Sequence, residues 1–90
     1  MLKIVSSNRF RKDLKLAIRR GYNIELLEEV VTKLASGISL EAKHKDHELS
    51  GDFKGLRECN ITPDWLLIYQ VIENELVLYL SRTGTHSDLF

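Results

Sequence analysis

The chain is short of cysteine, proline, tryptophan and long apolar runs, and each shortage closes off a class of structure. Cys59 is the single cysteine among 90 residues, so no internal disulfide can form, and no Cys-x-x-Cys pair exists to hold a structural zinc. That usage fits a reducing compartment and predicts a cytoplasmic protein. The longest apolar run, Trp65 to Tyr69 and resuming at Val71, falls far short of the roughly 20 residues that cross a bilayer. The opening MLKIVSSNRF turns polar by Ser6 and offers no apolar signal core. No membrane association is expected. A chain of this length makes one domain, residues 1–90, in which only about 60–65% of the unfolded surface can be buried. Stability is then marginal, and a bound partner would add to it.

Charge of one sign is also lacking, with 13 Lys and Arg against 13 Asp and Glu. Zero net charge argues at first against a polyanionic ligand. The charge is segregated, however. Residues 1–20 carry seven basic groups (Lys3, Arg9, Arg11, Lys12, Lys15, Arg19, Arg20) against Asp13, a local +6, and the remainder carries the compensating −6. Such asymmetry marks either a polyanion-facing surface or a solvated basic helix face.

Periodicity sets out the elements. Leu2 to Val5 reads as a first strand, and the cluster Ser6, Ser7, Asn8 supplies a helix cap. Phe10, Leu14, Ala17 and Ile18 form one apolar stripe, and Gly21 stops that helix. Asn23 caps a second helix with Ile24, Leu27, Val30, Val31 and Leu34 on its stripe and glutamates in its first turns, ending at Gly37. Two helices so closely joined form a hairpin. A polar loop follows, with a short strand near Leu49. Phe53 to Asn60 is strand-like, Pro63-Asp64 is a turn, and WLLIYQVI (65–72) is a central strand buried on both faces. Glu73-Asn74 turns the chain into a returning strand over 75–82, and Thr83-Gly84-Thr85 breaks it before a short tail. The order predicts an α+β domain: an N-terminal strand and a two-helix hairpin packed on a mainly antiparallel sheet.

Three groups of residues carry candidate chemistry: His47 in the loop, Pro63-Asp64-Trp65 at the turn, and Arg82-Thr83-Gly84-Thr85-His86. A meander sheet brings these regions to neighbouring edges. Histidine suits proton transfer near neutral pH, and arginine can hold a phosphate bidentately. Two histidines, one arginine and a carboxylate suffice for metal-free RNA cleavage. Each residue also has a plainer role. His44 reads as solvated. A zinc set from His44, His47, His86 and Asp46 has no diagnostic spacing, so no metal is assigned. Trp65 reads as core, with a base-stacking platform as the alternative. Asp64 can be a turn former and Arg82 a surface charge. Arg57 and Glu58 point to opposite faces of their strand, Cys59 is a small buried thiol, and Phe90 is a docked anchor or a functional contact.

KDHELSGDFKGLREC (45–59), PDWLLIYQV (63–71) and RTGTHSDLF (82–90) together resemble the YafQ branch of the RelE/ParE toxins, the toxin halves of bacterial type II toxin-antitoxin pairs. The resemblance runs over the whole chain. It implies a RelE-like twisted sheet, ribosome-dependent cleavage of mRNA in the A site without metal or small-molecule cofactor, and neutralisation by a DinJ/RelB-like antitoxin. Ribosome, mRNA and antitoxin are thus the implied partners. The family's functional positions fall on His47, Asp64, Trp65, Arg82, His86 and Phe90, and related toxins also use the acid at Glu58. Where many YafQ-like toxins have histidine, this chain has Asn60, which can bind a phosphate or base but cannot exchange a proton at neutral pH. The implied roles are phosphate and transition-state contact for Arg82, general acid for His86, and base for His47 or Asp64 with Glu58 in reserve. Trp65 and Phe90 then order the nucleotide, and Arg11, Lys12, Lys15 and Arg19 meet ribosomal RNA. A ParE-like inhibitor of a protein such as gyrase, or a catalytically weakened relative, are the competing readings.

Overall fold

The computed structural model describes residues 1–90. The chain runs β1 (Lys3–Ser6), α1 (Asn8–Arg19), α2 (Ile24–Ala35), β2 (His47–Glu48), β3 (Arg57–Thr62), β4 (Trp65–Ile72), β5 (Val77–Gly84) and α3 (His86–Leu89). The five strands form one sheet in the order β1-β5-β4-β3-β2. Only the β1–β5 pairing is parallel, so the mainly antiparallel α+β expectation holds. No helix is long and apolar enough to cross a membrane.

Both helices begin where local chemistry says they should. Ser7 caps α1 by accepting from the Phe10 amide at 2.9 Å, and Asn23 caps α2 by accepting from the Glu25 amide at 3.1 Å. The first satisfies an orphan N–H of the opening turn. Gly21, at φ +79°, takes the left-handed conformation that turns the chain between the helices. Phe10 and Ala17 of α1 and Leu27, Val30, Val31 and Ala35 of α2 pack on Cys59, Ile61, Trp65, Leu67, Tyr69, Leu78 and Leu80 of the sheet. Trp65 to Tyr69 is buried without a break, as the near-continuous apolar run of β4 required.

Several sequence expectations need correcting. Ile18 is 55% exposed. At 100° per residue it lies about 80° from Phe10, on the flank of α1 away from the sheet contact. Phe53 belongs to a single 3₁₀ turn, Gly51–Phe53, and the strand begins only at Arg57. The β4–β5 connection is a 3₁₀ turn over Glu73–Glu75, so β5 begins only at Val77, and the strand runs on to Gly84, past the break expected at Thr83. His44 is buried, not solvated: Nδ1 meets the Asn60 carbonyl and ties the polar loop to β3.

Candidate active site

Strand pairing builds the site. His47 pairs with Glu58, Glu58 with Ile68, and Ile68 with Arg82, so one row across four strands shares the sheet face away from the helices. The next row is Asn60, Leu66 and Gly84. Arg57 and Glu58 point to opposite faces as expected, and it is Arg57 that takes the helix side, beside Tyr69.

A cleft of about 640 Å³ is lined by Glu58, Asn60, Asp64, Leu66, Thr85 and His86, together with Tyr22 from the turn between the helices. Four of the expected residues therefore converge: Glu58, Asn60, Asp64 and His86. His47 stands behind Glu58, with Nε2 3.8 Å from the carboxylate. Its Nδ1 lies 2.6 Å from the Lys45 carbonyl. A carbonyl only accepts, so Nδ1 carries the proton and the Nε2 lone pair faces Glu58 whenever the ring is neutral. Asp46, just before His47, accepts from the Tyr69 hydroxyl and faces Arg57 Nε at 3.4 Å, which fixes this segment to β3 and β4. Burial, with the Asp46 contact second, pushes the Tyr69 hydroxyl well above its usual range.

Arg82 lies beside the cleft and not in its lining. Past Leu80 the edge of β5 is no longer paired with β1, and α1 crosses there. Asp13 of α1 accepts from Arg82 Nε at 2.7 Å, from Arg82 Nη2 at 3.2 Å and from the Thr83 amide at 3.2 Å. This partner raises the Arg82 pKa further. Arg82 Nη1 makes no hydrogen bond within the protein, and the side chain keeps 24% of its exposure.

Trp65 is 2% exposed and packs on Tyr22 at 5.1 Å between ring centroids. In this arrangement it is core beneath Tyr22, and its position as an exposed stacking platform is not what the fold provides. Phe90 is half exposed and docks edge-on against Phe53 at 5.3 Å, with His86 5.0 Å away on its other side. It is thus anchored beside His86, outside the lining of the cleft. Arg11, Lys12, Lys15 and Arg19 are all exposed, and none is among the ion pairs of the chain. The sequence reading missed Tyr22, Asp13, Phe53, Arg20 and Asp88. The last two form a two-bond ion pair, 2.7 and 3.2 Å, between the end of α1 and the C-terminal tail. A surplus of basic residues around one acid, Asp13, was the one available hint.

A helix pair packed on a small sheet, with an acid- and histidine-lined cleft beside it, is an architecture this chain shares with solved bacterial toxins. A metal-bound toxin from Helicobacter pylori is 47% identical, with a TM-score of 0.95 and full coverage of both chains. YafQ in the Escherichia coli DinJ-YafQ complex is 38% identical, with a TM-score of 0.90 over 100% of this chain and 99% of that one. The mRNA interferase toxin YafQ of Escherichia coli K12 is 40% identical over 85 residues, 93% of this chain and 90% of the relative. Residues 2–90 match the family described as bacterial toxin of type II toxin-antitoxin system, YafQ, and the chain belongs to that family. The Helicobacter relative holds a metal, but no three His, Cys, Asp or Glu side chains here converge as a ready-made metal set.

Proposed function

We propose that this toxin is an mRNA interferase, an endoribonuclease that acts on mRNA in the ribosomal A site by acid-base chemistry. The observation that carries the reading is the cleft that holds Glu58, Asp64 and His86 together, with His47 behind Glu58 and Arg82 alongside. A base takes the proton of a ribose 2′-hydroxyl, whose oxygen attacks the adjacent phosphorus. The P–O5′ bond breaks, and His86 gives its proton to the departing 5′-oxygen. The products are a 2′,3′-cyclic phosphate and a 5′-hydroxyl. Arg82 offers Nη1 to the phosphate while Asp13 holds Nε and Nη2; a preorganised cation of this kind stabilises charge as it develops. Glu58, backed by the His47 imidazole, and Asp64 are the bases within the cleft, and His47 itself is the third. Asn60 contributes hydrogen bonds only. Trp65 supports Tyr22 from below, and Phe90 orders a nucleotide at the rim beside His86.

The exposed, unpaired Arg11, Lys12, Lys15 and Arg19 supply a face for ribosomal RNA. The Escherichia coli homologue is solved with DinJ, and a DinJ/RelB-like antitoxin is the partner proposed for this chain, acting with it in the cytoplasm where ribosomes lie. Acid and base groups in one cleft favour this reading over a ParE-like inhibitor of gyrase, which needs none. The test is to map transcript ends on translating ribosomes. Cleavage within A-site codons leaving 2′,3′-cyclic phosphates, lost in His86→Ala, is the expected result. Intact transcripts with arrested DNA gyrase would replace this reading with the other.

A further inference from the structure

His86 reaches the cleft from the four-residue helix α3, His86–Leu89. Beside the Phe90–Phe53 contact, polar bonds fix α3. Thr85 and Asp88 form a reciprocal cap, in which the Asp88 amide donates to Thr85 Oγ1 at 3.2 Å and the Thr85 amide donates to Asp88 Oδ2 at 2.9 Å. The same carboxylate accepts both bonds from Arg20, 68 residues away at the end of α1. Gly84 makes room for it: a Cβ there would stand 3.0 Å from Asp88 Cβ and Oδ2. Arg20 and Asp13 are seven residues apart, within about 20° of one another around α1, so one flank of the helix meets both Arg82 and the tail.

We propose that Arg20 is a positioning residue for catalysis: its bidentate pair with Asp88 latches α3 to α1 and thereby sets His86 and Phe90 against the cleft. The inference rests on the nuclease reading for its consequence, but the latch itself is independent of it. Arg20 lies in the basic segment, where a direct contact with ribosomal RNA is the rival role. The two roles differ in what they couple to. A latch acts through Asp88; an RNA contact does not.

A double-mutant cycle in the full chain separates them, with Arg20→Ala, Asp88→Ala and the double variant, and Arg20→Lys as the conservative replacement. Two quantities are measured: the maximal cleavage rate with its KM for ribosomes, and, in the free toxin, amide exchange at Leu89 and Phe90 with the ring shifts of His86, Phe90 and Phe53. Arg20→Ala is expected to lower the rate on the order of ten- to a hundredfold, as small misplacements of a reacting group do, with KM unchanged and faster exchange in the tail. Arg20→Lys should recover part of both. In the Asp88→Ala background, removing Arg20 should cost nothing further. Losses that multiply, or a raised KM at an intact rate, would overturn the latch in favour of an RNA contact. Tail order is read without activity. A wild-type chain that fails to cleave therefore strikes the nuclease reading alone, and unchanged exchange in Arg20→Ala strikes the latch alone.

Discussion

The two faces of the sheet are made by the same strands, yet they obey different rules. On the helix side, Cys59, Leu67 and Leu78 are fully buried among α1 and α2. Beside Cys59, Glu58 and Asn60 point the other way, as does Arg82 on β5, and they meet acids, imidazoles and open cleft. The first face asks only for apolar residues of suitable size, which many sequences satisfy. The second needs particular groups at particular points, drawn from β2, β3, the β3–β4 turn and the tail. Robustness belongs to one face and specificity to the other.

Substitutions can set the faces against each other. The largest effect is expected on the open face: His86→Ala should cut ribosome-dependent cleavage by about 10²–10⁴-fold, the usual contribution of a positioned acid, with the melting temperature of wild type. Glu58→Gln, Asp64→Asn and His47→Gln then identify the base as the one whose loss matches. On the helix face, Leu67→Ala should destabilise the fold by about 2–5 kcal/mol, read by denaturant unfolding, and any loss of cleavage should vanish once folded protein is counted. A Leu67→Ala chain that stays stable but inactive would erase the distinction between the faces. Away from the sheet, reversing Lys12, Lys15 and Arg19 should weaken ribosome binding and flatten its salt slope by about 0.7–0.9 for each phosphate no longer neutralised. An unchanged slope would make that surface merely solvated.

The smallest effects concern single local bonds. Ser7→Ala should cost about 1 kcal/mol of stability through the lost cap. Burial, with nearby Asp46 and Glu58 second, pushes the Cys59 thiol up from 9.0 to about 12. A raised folded value means that its contribution to stability is complete below the ordinary thiol value and is lost as pH rises towards about 12. Alkylation at neutral pH should accordingly be slow until the protein unfolds, as mass spectrometry can follow. Asp88 is the opposite case: the Arg20 guanidinium, then the Thr85 amide, hold its carboxyl well below the usual carboxylate range. Its stabilising charge is present above the ordinary aspartate value and is lost only as pH falls through the depressed one.

The elements that were legible are those whose cause is local. Ser7, Gly21 and Asn23 punctuate the helices because caps and left-handed turns depend on adjacent residues, and WLLIYQVI announced a central strand by its near-continuous apolar run. Ile18 misled because a stripe read from spacing has no sharp edge until a partner surface defines it. Phe53 misled because a 3₁₀ turn and a strand start look alike over three residues. Of the expected site residues, Glu58, Asn60, Asp64 and His86 share the cleft. Tyr22, Asp13 and Arg20 were not legible, because each acts on a residue far along the chain: the Asp13–Arg82 bonds span 69 positions and the Arg20–Asp88 bonds 68.

By itself, then, the sequence determined an α+β fold, a central strand at 65–72, two capped helices, a basic first segment and the motifs of one toxin family. Only the tertiary structure decided that Trp65 lies under Tyr22, that His47 faces Glu58, and that α1 holds Arg82 through Asp13 and the tail through Arg20. The reason is physical. Periodicity and capping are short-range and leave their mark in neighbouring letters, whereas an ion pair between distant residues exists only once burial of the apolar face has folded the chain and brought them together.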